Sequence, residues 1–333
     1  MKFILLILLL TSTNLFSEYK NTSGNALEKS FSDMVKWIRM DTETVISSID
    51  LSSEWEEINL NESDNYTIWI GHSTFLIKID GVTILTDPIF SERASPFKSI
   101  GPKRLIPPSM NINDLPNIDF VTVSHNHYDH LDIPTLKKLS KLNPNTIFLI
   151  PEGDLNLLMR KGIKNAFEFK WWESYKENGF IFTFTPVQHW SKRGLFDRNK
   201  SLWGGWYIEH DKYSLYHAGD TGYSSDFIDT KERLGPPKYA FIPIGAYDPE
   251  WFMSESHVNP EDAVQIMIDL EAEYSFGMHW GTFKLTDEDT LEPPVRLKEA
   301  AKDANIKKFK SLVPGQVVNL NCCLLYTSPS PRD

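Results

Sequence analysis

From Tyr66 onward, short apolar runs dominate the chain: Tyr66-Thr67-Ile68-Trp69-Ile70, then Thr74-Phe75-Leu76-Ile77-Lys78-Ile79, then Val82-Thr83-Ile84-Leu85-Thr86. Their β-branched and aromatic content predicts strands. Asp80-Gly81 predicts a tight hairpin between the second and third, since both residues tolerate a left-handed backbone. Asp87-Pro88 ends the third run, and residues 90–118 read as loop, broken by Pro96, Pro102, Pro107, Pro108 and Pro116. Phe120-Val121-Thr122-Val123 follows as a buried strand, then a helix over 132–142, a strand over Thr146–Ile150 and a helix over 153–161.

After a short region around Trp171-Trp172, a second set of strands begins. Phe180–Thr185 alternates and stops at Pro186; Gly204–Ile208 and Tyr213–Tyr216 continue it. Phe241-Ile242-Pro243-Ile244 reads as a buried, edge-like strand, because proline suits a sheet edge. Pro260–Leu270 is a helix capped by Asn259, Tyr274–Gly277 the last buried strand, and Pro294–Ala304 a closing helix. Upstream, Ala26-Leu27, Phe31, Met34-Val35 and Ile38 have helical spacing, and packing on the main body is preferred to lying on a membrane. Two β-rich halves with helices and no repeat period predict an α/β sandwich with helices outside.

The ends divide off from this body. Met1-Lys2, the run Phe3–Leu10 and Thr11-Ser12-Thr13 follow the plan of a secretory signal peptide over residues 1–17, with cleavage after Ser17. Export to a periplasmic or membrane-associated position is therefore expected, an uncleaved anchor or a cytoplasmic, membrane-peripheral enzyme being the alternatives. Residues 18–60 form an N-terminal helical segment and 61–320 the catalytic domain. Residues 321–333 change character abruptly and read as a translated adapter sequence, a non-native tail. Both cysteines, Cys322 and Cys323, lie in that tail, so the body has neither disulfides nor a thiolate metal site. Across 333 residues the net charge of -11 argues against a nucleic-acid partner.

Candidate chemistry concentrates directly after the Phe120 strand. Ser124-His125-Asn126-His127-Tyr128-Asp129-His130-Leu131-Asp132 places three imidazoles and a carboxylate in the pattern H-x-H-x-D-H, in a chain with 9 histidines. Imidazole nitrogen and carboxylate oxygen are favoured zinc ligands, and a strand-to-helix loop can hold several of them around an ion. On an extended loop His125 and His127 point one way, and Asp129 can join them, while His130 faces elsewhere. Two diverging sets imply two metal positions. Further candidates follow later strands: His189 in Val187-Gln188-His189-Trp190, Asp220 in Ala218-Gly219-Asp220-Thr221-Gly222, and His279 in Met278-His279-Trp280-Gly281.

This order of ligands resembles the metallo-β-lactamase superfamily. More narrowly the chain is similar to N-acylphosphatidylethanolamine-hydrolysing phospholipase D and its bacterial relatives. The similarity is carried by Leu85–Phe90, Gly101-Pro102-Lys103-Arg104, Ser124–Asp132, Gln188-His189-Trp190, Ala218–Tyr223, Ile242–Tyr247, His279–Phe283 and Leu291-Glu292-Pro293-Pro294. The resemblance implies an αββα sandwich of two mixed sheets with two zinc ions per chain. His125, His127 and His189 would hold one ion, Asp129, His130 and His279 the other, with Asp220 bridging. It implies catalytic roles for Asp129 and for His257, the latter as leaving-group acid or as a structural residue beside the Asn259 cap. Trp190 and Ser256 are the candidate substrate contacts; His72 either supports the ligands or is structural, and His210 and His217 are structural. The implied activity is a phospholipase D type hydrolysis of N-acylphosphatidylethanolamine-like lipids at a membrane surface, in a homodimer. A lactonase or other C–O hydrolase, and a non-catalytic metal- or lipid-binding module, are the alternatives.

Overall fold

A computed structural model describes residues 19–24, 27, 29–40, 42–62 and 65–321. The expected leader with its cleavage point, and the tail beyond Asn321, lie outside the described residues. Asn321 itself is tied to the body, its side-chain oxygen accepting from Asn65 Nδ2 and from the Tyr213 hydroxyl.

Two seven-stranded sheets face each other. The first has the order β14-β1-β2-β3-β4-β5-β6, made from β1 (Tyr66–Gly71), β2 (Thr74–Ile79), β3 (Val82–Thr86), β4 (Phe120–Thr122), β5 (Ile147–Pro151), β6 (Ala166–Phe169) and β14 (Val317–Asn319). The second has the order β13-β12-β11-β10-β9-β8-β7, made from β7 (Ser174–Glu177), β8 (Phe180–Thr185), β9 (Gly205–His210), β10 (Tyr213–His217), β11 (Tyr239–Pro243), β12 (Tyr274–Met278) and β13 (Phe309–Ser311). Both are mixed: each begins as an antiparallel meander and continues with parallel strands. The hairpin at Asp80-Gly81 forms as expected, with φ of 46° and 84° and Ile79 paired with Val82, the left-handed pair that a two-residue turn requires.

Alternation along the strands builds the layers. Phe75 and Ile77 of β2 belong to the core between the sheets, while Leu76 joins a second core with Ile68, Leu85 and Val121. Aromatic rings cross the inter-sheet gap: Phe75 meets Phe241 at 4.4 Å, Phe120 meets Phe182 at 4.7 Å and Phe169 meets Trp206 at 5.5 Å. Outside the first sheet, Leu136 and Leu139 of α2 (Ile133–Leu142) and Leu158 of α3 (Leu155–Arg160) bury against that second core. Later in the chain come α4 (Asp226–Leu234), α5 (Glu250–Met253), α6 (Pro260–Asp269) and α7 (Glu292–Asp303). Of these α6 packs over β11 and α7 along β13. Asn259 caps α6 by accepting from the Asp262 N–H at 2.8 Å, as its sequence position predicts.

Several expectations change. Strand β11 is interior, flanked by β10 and β12; Pro243 is tolerated because it closes the strand. The strand at Tyr274 is not the last: β13 extends its sheet and β14 closes the other by pairing with β1, Tyr66 opposite Asn319. Strands β6 and β7 flank Trp171-Trp172, and α4 occupies a stretch with no predicted element. The N-terminal helix α1 (Phe31–Arg39) starts later than its spacing suggests, and Ala26 lies outside the described residues. Ser30 and Asp33 form a capping box that fixes the start. Its Met34 and Trp37 pack on Phe252 of the body.

Candidate metal centre

The ends of β1, β3, β4, β8, β10 and β12 bring their following residues to one edge of the sandwich: His72, Asp87, the 124–130 loop, His189, Asp220 and His279. His72, Asp87 and His279 hold left-handed φ of 56°, 35° and 64°. Such conformations cost about 1–3 kcal/mol each in a non-glycine residue and cluster where a site demands them. Gly219 (φ 63°) does the same without that cost; a Cβ there would lie 2.5 Å from Ser124 Cβ, so glycine lets Asp220 approach the metal loop.

The chain does not stay extended after His127. It turns, with the His130 and Leu131 amides donating to the His127 carbonyl. That turn separates Asp129 from His125 and His127 and sends it to His130. A first group therefore comprises His125, His127 and His189: His127 Nδ1 lies 2.9 Å from His125 Nε2 and 3.3 Å from His189 Nε2. A second comprises Asp129, His130 and His279, with His279 Nε2 at 3.5 Å and His130 Nε2 at 3.6 Å from Asp129 Oδ2. Asp220 Oδ2 stands between the groups, 3.1 Å from His279 Nε2, 3.2 Å from His130 Nε2 and 3.9 Å from His125 Nε2.

Supporting contacts aim these rings. Asp87 is fully buried, accepts from the Ser124 N–H and hydroxyl, and pairs with His130 Nδ1 at 2.7 Å. His189 Nδ1 bonds the Ser256 carbonyl at 2.9 Å. Each leaves the opposite nitrogen facing the cluster, the arrangement that orients imidazole ligands. Asp87 was legible only as the end of a strand; the later clue is a buried carboxylate beside the β4 terminus. His72 is closer to the chemistry than a distant support, its Nε2 3.0 Å from Asp129 Oδ2 and its ring 4.1 Å from that of His279. His257 reaches the rim, Nδ1 3.8 Å from Asp220 Oδ2. Trp190 sets its ring edgewise on His127 and carries the Arg198 guanidinium over its face. Ser256 is buried, and its hydroxyl turns back to the Met253 carbonyl. His210 stacks on Phe180 beside Asp80, and His217 bonds the Ser73 carbonyl.

The electrostatics of the groups differ. Burial pushes His125 and His189 well below the ordinary imidazole range, neighbouring imidazoles adding to it, and pushes His127 down to about 3. Burial would raise Asp129 and Asp220, but the facing His130 and other imidazoles outweigh it and hold both well below the usual carboxylate range. Burial likewise opposes charge on His130 and His279. The carboxylates prevail, lifting His130 well above its usual value and His279 to about 9. His72 and His257 are lowered by burial to about 3 and about 4.

Buried polar atoms normally find a partner. Here His127 Nε2, His130 Nε2, His279 Nε2 and Asp220 Oδ1 are buried without a hydrogen bond, although His130 and His279 lie close to Asp220. Within each candidate group the ligand atoms lie within 4.8 Å of one another. Imidazole nitrogens and carboxylate oxygens brought this close, those of His130, His279 and Asp220 Oδ1 without a hydrogen bond, fit a cation held in common.

Residues 82–280 match the family description "Beta-lactamase superfamily domain". The chain is 40% identical over 271 residues to N-acyl-phosphatidylethanolamine-hydrolyzing phospholipase D 1 of Caenorhabditis elegans, covering 77% of this chain and 76% of that one. It is 38% identical over 270 residues to the mitochondrial N-acyl-phosphatidylethanolamine-hydrolyzing phospholipase D of Saccharomyces cerevisiae, covering 79% of this chain but 57% of the yeast protein's length. Among solved structures, a metallo hydrolase from Ignicoccus hospitalis superposes with a TM-score of 0.59 at 23% identity, covering 77% of this chain and 98% of that one. At that identity the likeness speaks for the fold.

Proposed function

This chain belongs to the metallo-β-lactamase superfamily, and we propose that it is a zinc-dependent phosphodiester hydrolase of phospholipase D type. Its substrate in this reading is an N-acylphosphatidylethanolamine-like lipid, cleaved to phosphatidate and an N-acylethanolamine. The observation that carries the reading is the pair of buried ligand groups on either side of Asp220. The substrate class is supported by the similarity to the nematode and yeast enzymes.

His125, His127 and His189 would hold one zinc, Asp129, His130 and His279 the other, with Asp220 shared. When bound, the metals lower the pKa of water and neutralise charge on a phosphoryl group. The protein's part is orientation. Asp129 Oδ2, pinned by His72 Nε2 at 3.0 Å and kept ionised by His130, would accept a hydrogen bond from the attacking water and aim it. Burial holds His257 neutral at neutral pH, which favours a hydrogen-bonding role toward the substrate over that of leaving-group acid. Trp190 walls the first group.

A lipid substrate calls for peripheral membrane contact. Among the described residues no helix is long and apolar enough to cross a membrane. Exposed Phe97 and Ile100, and Leu195 and Phe196, lie on two loops that flank the metal loop. Arg193 grips the Asn126 and Leu131 carbonyls from one side, and Ser91 grips Asp132 from the other. These tips support membrane contact, tested by vesicle sedimentation. The decisive assay incubates the zinc-loaded protein with N-acylphosphatidylethanolamine and with a panel of lactones. Release of N-acylethanolamine and phosphatidate is expected; turnover of lactones alone would replace the reading with a C–O hydrolase.

A further inference from the structure

Residues 19–40 lie outside the stretch 82–280 matched by the family description, yet they reach the metal centre from behind. The Tyr19 amide donates to the Asn199 carbonyl and its hydroxyl to Glu152. The next described contact, at Asn21, goes to a proposed ligand. The Asn21 side chain is 4% exposed, and its carboxamide oxygen accepts from the His189 backbone N–H at 3.0 Å and from Trp203 Nε1 at 3.0 Å.

His189 is thus held at two points. Its backbone is fixed by Asn21. Its imidazole Nδ1 is fixed by the Ser256 carbonyl, and that carbonyl belongs to a segment the same N-terminal stretch clamps. Lys29 Nζ pairs with Glu255 at 2.9 Å, and Trp37 stacks on Phe252 at 5.0 Å while donating to Asp287 at 2.8 Å. Both holds on His189 trace back to Asn21, Lys29 and Trp37.

We propose that this N-terminal strap is a working part of the metal centre, with Asn21 the positioning residue that sets His189 for the ion it shares with His125 and His127. The inference rests on the reading of those imidazoles as ligands. Asn21 suits the task because a carboxamide oxygen has two lone pairs, one for each N–H it meets, and no charge to bury. The described contacts of the strap go to His189 and the segment behind its ring rather than to Asp129, His130 or His279, so its effect falls on one ion of the pair. Groups that orient a ligand typically contribute 10–100-fold in metal affinity.

The test titrates the metal-stripped full chain with Co²⁺, followed by visible absorbance and by competition with a chelator. Wild type should take up cobalt in two steps. Asn21→Leu should weaken one step by about tenfold or more and leave the other unchanged, and Asn21→Asp, which keeps an acceptor oxygen at the same reach but buries a charge, should recover part of the loss. Two unaltered steps in Asn21→Leu would overturn the proposal. So would equal weakening of both steps, which marks a general loss of structure. Should Asn21→Leu fail to fold, hydrogen exchange on wild type decides. Coupling is reciprocal, so cobalt loading should slow exchange of the Gly24 amide, which donates to the Asn21 carbonyl at 2.8 Å. An unchanged Gly24 rate in a protein that binds both ions would refute the coupling, whereas a wild type that takes up no cobalt would sink the metal-centre reading and this inference with it.

Discussion

The two proposed ligand groups, His125, His127 and His189 on one side and Asp129, His130 and His279 on the other, share one carboxylate neighbour but stand in opposite electrostatic states. Burial strips charge from the first: its three imidazoles are neutral in the ordinary pH range. The second is an ion cluster, with His130 and His279 held protonated by Asp129 and Asp220. Neutral imidazole is the ligand form of histidine, and protons must leave before a cation can be held. The first group is therefore ready for an ion, whereas the second holds protons where its ion would sit. The difference follows from where the carboxylates stand: Asp220 lies nearest His279 and His130, and one turn in the chain adds Asp129 to that side rather than to His125.

Asp220 offers the most damaging way to break the comparison, since its carboxylate stands between both groups. Asp220→Asn should lose tight binding of both ions. It should lower hydrolysis by roughly 10³-fold or more, given that metals supply several kcal/mol to such reactions. Elemental analysis after dialysis checks this; two retained ions would show that the groups are independent.

Proton counting sharpens the contrast. Calorimetric zinc titrations at neutral pH, in two buffers of different ionisation enthalpy, should show few protons released at one step and more at the other. In the metal-free protein the second group also links stability to pH. His279 is raised to about 9 from a value of about 6.5 in the unfolded chain. Its contribution is therefore complete below about pH 6.5 and is lost as the pH rises through about 9. The metal-free Tm should fall by several degrees over that window, and zinc should flatten the fall. A Tm that rises over the same window would reverse the assignment of charge.

Much of this was legible beforehand, and the failures are instructive. Strands β1 to β3 and β8 to β10 announce themselves because they bury alternating or continuous apolar runs. The H-x-H-x-D-H loop and the later His and Asp positions were visible because each follows such a strand. Strand β7 was not, because Ser174–Glu177 is an edge strand with no fully buried residue. Nor was β14, whose partner Tyr66 lies far away in the chain; no local pattern encodes a pairing of that range. Asp87 reads as strand punctuation because its role, like the contact His72 makes to Asp129, arises only when separate strand ends meet. Asn21 lies in the N-terminal segment that the sequence pattern sets apart from the body, yet its side chain touches the candidate site.

A smaller effect separates the roles of His257. A general acid typically supplies roughly 10²–10⁴-fold in rate, and only where the leaving group needs a proton. Because burial holds His257 near 4, His257→Ala should keep both ions and lose a similar, modest factor on a lipid substrate and on a nitrophenyl phosphodiester. A loss confined to the lipid, whose alkoxide is strongly basic, would reinstate the acid role expected from the sequence.

The smallest expected effect probes the support behind the first group. Asp154 Oδ1 accepts from Asn126 Nδ2 at 3.1 Å and from the Ser201 hydroxyl at 2.9 Å, while Oδ2 is buried without a partner. Asn126 sits between His125 and His127, so this carboxylate backs the neutral group. Burial pushes Asp154 up to about 6, against about 3.9 in an unfolded chain. The native state therefore binds this proton more readily, and the associated stability is present below about pH 4 and lost as the pH rises through about 6. Asp154→Asn keeps an acceptor for Asn126 and removes the buried charge. It should flatten the unfolding profile across that interval and hold or raise the Tm at neutral pH, by no more than about 3 kcal/mol in stability, with zinc affinity unchanged. Thermal melts at acidic and neutral pH measure it. A neutral-pH Tm several degrees below wild type would mean that Asp154 works as an anion beside the Arg193 guanidinium, and that the first group leans on a charge after all.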